Sequence, residues 1–156
     1  MSDITRYELL LFLHILMAIT WVGGALATQF FALRLVNGGS PETQASFAKS
    51  SEWVGMRVFM PASLILLLSG IGLVAEGNWG FTTLWVLIGL AAYLFSFLSG
   101  VFFLGPESGR LGKAMEEKGP ADPEVRGRIK RLFAYSRIEL GVLILIVLDM
   151  TVKPGA

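Results

Sequence analysis

The chain has 156 residues, 54% of them hydrophobic and 16% charged, with a formal net charge of +1. A mean hydropathy of +0.65 is too apolar for a water-soluble domain of this length, so lipid is the expected solvent and partner, and nothing in the charge pattern suggests nucleic acid. The absence of cysteine excludes disulfides, thiolate metal sites, cysteine-bound iron–sulfur clusters and covalent c-type haem.

The first apolar stretch, Leu9–Val36, exceeds the roughly 20 residues a bilayer requires, and tilt or overhang should absorb the excess. Ala25-Leu26-Ala27 has the form of a signal-peptide cleavage site. The leader, however, carries Asp3 and Glu8 against Arg6, and the apolar run continues past the cut, so a retained span is expected. A second stretch runs over Trp53–Ala75 and a third over Phe81–Leu104. Their short connection makes them antiparallel neighbours, with Trp79 and Trp85 placed for an interfacial aromatic belt. The fourth, Leu132–Val152, carries Ser136, Arg137 and Glu139 in one half, while Leu140–Leu148 is almost wholly apolar. The expected fold is therefore an all-α integral membrane four-helix bundle, one multi-pass domain over residues 1–156.

Arg34, Lys49 and Arg57 flank the first long loop, and Arg110, Lys113, Lys118, Arg126, Arg128, Lys130, Arg131 and Arg137 crowd the second. The positive-inside rule then places both loops in the cytoplasm and makes both termini extracytoplasmic, in a bacterial plasma membrane. Ser40-Pro41-Glu42 and Asp122-Pro123-Glu124 each set a capping side chain before proline and an acid, so both should open cytoplasmic helices that run into spans. Pro106-Glu107 should begin another short helix ending near Gly119. The basic strip Arg126, Lys130 and Arg137 suits topology-setting charge or anionic headgroups. Glu139 should meet Arg57 or Arg34.

Polar residues inside spans are the functional candidates, because burying them without partners is costly. His14 is the sole histidine, about five residues and so roughly 8 Å in from the outer end of its helix. Met17, Ala18, Trp21, Ala25 and Thr28 share its broad face, which should point into the bundle. Asp149, near the outer end of the fourth span, would reach His14 if the two helices adjoin and would fix its tautomer. Thr20, Gly24 and Thr28, like Ala92, Ser96 and Gly100, allow close helix approach within the bundle or in an oligomer. Pro61 should kink the second helix and open a pocket near His14. Met17 could join His14 in binding copper, and Met56 and Met60 add further thioethers, although methionine also fills apolar gaps. No phosphate-binding glycine loop, paired-histidine motif or nucleophile elbow is present in suitable context.

Leu13-His14-Ile15-Leu16 followed by Trp21-Val22-Gly23-Gly24 resembles the first helix of bacterial copper-resistance-D-like membrane proteins. Nearly the whole chain, including Phe59-Met60-Pro61 and Gly105-Pro106-Glu107, is similar to an uncharacterised small bacterial membrane family in that group. The same group resembles the membrane protoporphyrinogen oxidases, whose comparable histidine is associated with haem b. The resemblance implies a haem- or metal-linked redox protein with His14 as ligand, Met60 or a second copy's His14 as further ligand, and haem b, copper or no cofactor bound. The chain lacks the oxidases' second-span lysine. A noncatalytic accessory or assembly subunit of a larger membrane complex and an oligomeric transporter component are the alternatives.

Overall fold

The computed structural model describes residues 4–155, which form four long helices: α1 (Arg6–Gly38), α2 (41–76), α3 (Leu84–Lys118) and α4 (Pro123–Val152). No strand occurs among the described residues. The starts of α1, α2 and α4 follow from the side chains that satisfy orphan amides. Thr5 and Glu8 close a reciprocal capping box on α1, Ser40 Oγ accepts the Thr43 N–H at 3.3 Å, and Asp122 Oδ1 accepts the Glu124 N–H at 2.8 Å. α1 runs out into extended backbone at Gly39, and the other three ends lie at left-handed backbone. Asn78 (φ 54°) turns the chain after α2, Gly119 (φ 80°) stops α3, and Lys153 (φ 50°) stops α4.

α1, α2 and α3 are long and apolar enough to cross a membrane, and α4 supplies the fourth helix. In α4 the apolar run is confined between Glu139 and Asp149. Outward-facing Phe12, Phe30, Leu68, Leu87, Phe102 and Leu145 give all four helices an exposed apolar girdle, which lipid covers without cost. Two layers of core hold the membrane half: Trp21, Tyr93 and Leu143 at one level, and Val74, Trp85 and Val86 nearer the α2–α3 turn. The N-terminal part of α1 packs along the C-terminal part of α2, and the N-terminal part of α3 packs on α4.

At 1.5 Å per residue, 35-residue helices are about 50 Å long and overrun a hydrocarbon core of about 30 Å. The surplus forms a polar stalk. Pro41–Val54 of α2, Gly105–Lys118 of α3 and the first turns of α4 enclose a separate small core of Ala45, Ala48, Leu111, Met115, Val125 and Ile129. Gly112 lets the stem of Lys49 cross, since a Cβ there would lie 2.8 Å from Lys49 Cγ. Ion pairs Lys49–Glu116 (2.5 Å), Lys118–Glu124 (2.5 Å) and Arg128–Glu107 (2.6 Å) lace the stalk surface. The Lys118 ammonium, and then the Arg128 guanidinium, hold the Glu124 carboxyl below its ordinary range, and Glu124 in turn raises Lys118.

Three helices change register, α1 in mid-span and α2 and α3 closer to the stalk. Ile19–Gly23, Gly55–Phe59 and Gly100–Leu104 are π-turns, single wide turns within otherwise α-helical runs. In α2 and α3 the cause is written in the sequence as Gly-x5-Pro, Gly55 to Pro61 and Gly100 to Pro106. A proline cannot donate and its ring crowds the carbonyl four residues back. The preceding amide bonds one residue further instead, Met60 N–H to Gly55 O and Gly105 N–H to Gly100 O. The short helix expected to begin at Pro106 is therefore no separate element, because the wide turn carries α3 through the proline without a break.

Candidate functional site

The three π-turns lie around one cavity of about 200 Å³ that runs from the middle of the bundle into the stalk. Trp21, Ala25 and Gln29 reach it from α1, Phe59, Met60 and Ser63 from α2, Ser96, Phe97 and Gly100 from α3, and Phe133, Ser136 and Glu139 from α4. A wider turn displaces the backbone that follows it, and the three are staggered along the cavity, since Trp21 stands level with Tyr93, seven residues before Gly100. Gly24 and Phe59 tie the first two together. The Phe59 ring lies where a Gly24 Cβ would be, 2.5 Å from Cε1.

The lining is mostly apolar with a few polar groups, several unfulfilled. Gln29 Nε2 donates to Ser136 Oγ, but Gln29 Oε1 is buried without a partner, as is Ser96 Oγ. Tyr93 donates to Ser63 O at 3.1 Å and stands edge-on to Trp21, with ring centroids 5.6 Å apart. Glu139 is only 6% exposed. None of the ion pairs among the described residues includes it, so the expected pairing with Arg57 or Arg34 does not form. Glu139 points into the bundle. A buried carboxyl without a cationic partner is stable only if it keeps its proton or receives a charged ligand.

His14 occupies a different place. Its Nδ1–H donates to Leu66 O at 2.9 Å, with Ser69 Oγ at 3.3 Å, and the ring fits against Gly70, where a Cβ would sit 3.0 Å from Cε1. A carbonyl can only accept, so this bond sets the tautomer and leaves Nε2 as the lone-pair nitrogen. Asp149 is not its partner. α1 pairs with α2 at this end, whereas Asp149 faces α3, 3.4 Å from where a Gly89 Cβ would stand. Asp149 Oδ2 and Trp85 Nε1 are both buried and unpartnered, and Lys153 Nζ lies 3.9 Å from the Trp79 ring centroid beside them.

Of the sequence candidates, Trp21 and Met60 line the cavity, while His14, Met17 and Asp149 do not. The pocket expected near His14 thus opens further along the bundle, since the wide turn sits ahead of Pro61 on the stalk side. No group of three or more His, Cys, Asp or Glu able to hold a metal occurs among the described residues. Thr20 and Thr28 turn their hydroxyls back to Leu16 O and Gly24 O, within α1. The residues missed as a site were Glu139, Gln29 and Ser96, and the paired Gly-x5-Pro spacing was the signal that could have located them.

No curated protein and no solved structure matches the chain. A family model described as "Predicted integral membrane protein (DUF2269)" matches residues 8–154, nearly the whole length and all four helices. The chain belongs to that family of integral membrane proteins.

Proposed function

We propose that this protein binds a small lipophilic molecule within the membrane, seating its apolar body between Phe59, Phe97 and Phe133 and its polar head against Glu139, Gln29 and Ser96. The supporting observation is the convergence of three π-turns on one cavity that contains an unpaired carboxyl and two residues with unpartnered oxygens. Ionisable groups retained in lipid point to a use, and π-turns recur at functional sites. In this reading the stalk is cytoplasmic and both termini lie outside a bacterial plasma membrane, because the basic residues cluster on the stalk. Mass spectrometry of organic extracts from purified wild type and Ser96→Leu tests it. A polar-headed apolar species present in wild type and lost from the cavity-filling variant is expected; identical extracts would refute it.

A haem- or metal-linked redox role is a second reading, favoured by the His14 tautomer, since a fixed Nδ1–H leaves Nε2 suited to an iron or copper centre. The donor set fits one protein ligand. Met60 faces the cavity that His14 does not enter, so haem b or copper would be held by His14 alone, with Met17 nearby in sequence, or with His14 of a second copy. Absorption spectra and metal analysis of protein expressed with ample haem and copper test this. A Soret band or copper content abolished in His14→Ala supports it; a cofactor-free wild type leaves ligand binding or an accessory subunit's role.

A further inference from the structure

Beside the cavity, at the membrane end of the stalk, a second cleft of about 390 Å³ opens on the outer surface between α2 and α3. Lys49, Glu52, Trp53, Arg57, Gly109 and Lys113 surround it. It lies where α2 passes from its polar segment into its apolar one. Trp53 is 60% exposed and the neighbouring Met56 50%, the amphipathic collar typical of a headgroup region. Gly109 is bare for a reason. A Cβ there would stand 2.5 Å from Glu52 Cδ, so the glycine makes room for the Glu52 carboxylate at the cleft floor.

The charges in the cleft are not all spent. Lys49 is paired with Glu116 at 2.5 Å. Arg57, Lys113 and Glu52 have no ion-pair partner among the described residues. Two uncommitted cations and one uncommitted carboxylate leave a surplus of one positive charge, which matches a phosphodiester monoanion. The carboxylate adds selectivity. It repels a bare phosphate dianion, yet it accepts hydrogen bonds from hydroxyls attached to the same headgroup.

We infer that this cleft is a binding site for an anionic phospholipid with a hydroxyl-bearing headgroup, of the phosphatidylglycerol type. Arg57 and Lys113 hold the phosphodiester, Glu52 accepts from the headgroup hydroxyls, and the acyl chains descend past Trp53 and Met56. The guanidinium of Arg57 reaches the headgroup level from a position already inside the apolar segment, as long basic side chains do. The collar selects lipid over a soluble glycerol phosphate of the same chemistry.

Native mass spectrometry of the full chain in detergent tests the assignment. The probes are dioctanoyl phosphatidylglycerol, dioctanoyl phosphatidylethanolamine and glycerol 3-phosphate. We compare wild type with Arg57→Gln/Lys113→Gln and with Arg34→Gln/Arg131→Gln, which removes the same charge from exposed positions outside the cleft. The expected result is phosphatidylglycerol binding weakened at least about tenfold by the first pair and unchanged by the second, with glycerol 3-phosphate failing to compete. Should the first pair not purify as a monodisperse species, Lys113→Gln alone carries the same comparison. Equal loss in both pairs would reduce the effect to diffuse charge and overturn the site. Competition by glycerol 3-phosphate, or equal binding of phosphatidylethanolamine, would overturn the lipid assignment.

Discussion

Adding one methyl group at Gly24 tests whether the π-turns of α1 and α2 really interlock. In Gly24→Ala the new Cβ would fall 2.5 Å from Phe59 Cε1 and 2.8 Å from Cζ, against ordinary carbon contacts of about 3.5–4.0 Å. The ring must therefore withdraw by roughly 1 Å, and because Phe59 lines the cavity it does so at the cavity's expense. Overpacking of this kind costs about 1–3 kcal/mol. Phe59→Leu removes the atoms that clash, so the double variant should recover most of the loss, with a coupling of about 0.5–3 kcal/mol expected of residues in contact. Thermal unfolding in one mild detergent, followed by tryptophan fluorescence and by size-exclusion recovery, provides the four corners of the cycle. If Gly24→Ala melts as wild type, or if the two substitutions simply add, α1 and α2 do not meet at this level and the cavity's geometry is wrong.

Leu143, 2% exposed in the layer with Trp21 and Tyr93, should cost about 2–5 kcal/mol when cut to Ala, read as a lowered melting temperature; a loss below about 1 kcal/mol would mean α4 is not seated there. Single cysteines at Lys49 and Arg126 should label only from the cytoplasmic side and one at Gly155 only from outside, the reverse pattern contradicting the charge-based orientation. Glu124 has its carboxyl pKa lowered in the folded protein by Lys118 and Arg128. Its stabilising contribution is therefore full above the ordinary carboxylate value near 4.5 and disappears as pH falls through the depressed folded one. The melting-temperature gap between wild type and Glu124→Gln should accordingly be present at pH 7 and closed in strong acid. An unchanged gap in acid would refute the pairing.

The helices were largely legible because their signals are local. Ser40-Pro41 and Asp122-Pro123 mark starts through hydrogen bonds within four residues, and apolar runs mark what lipid must cover. The site was less legible because it depends on which helices touch. His14 and Asp149 stand at similar depth in a sequence drawing, yet α1 lies against α2 and α4 against α3 at that end, a choice no single helix records. Glu139 drew a salt-bridge expectation because Arg57 and Arg34, on other helices, also lie near span ends on the basic side. In the structure it lines the same cavity as Gln29 and Ser96 and joins no ion pair among the described residues. Pro61 announced a distortion, but only the matching interval before Pro106 shows that the distortion is shared, and α1 reaches the same geometry with no proline at all.

A π-turn is in effect one extra residue threaded into a helix, and at 3.6 residues per turn it rotates everything beyond it by roughly 100° about the axis. The stalk faces of α2 and α3 are therefore set in phase with each other by two insertions of the same size. Deleting one residue at Gly55–Phe59 would turn Ala45 and Ala48 out of the stalk core, while a matched deletion at Gly100–Leu104 would turn Leu111 and Met115 with them. Loss of either insertion would therefore take the stalk core apart.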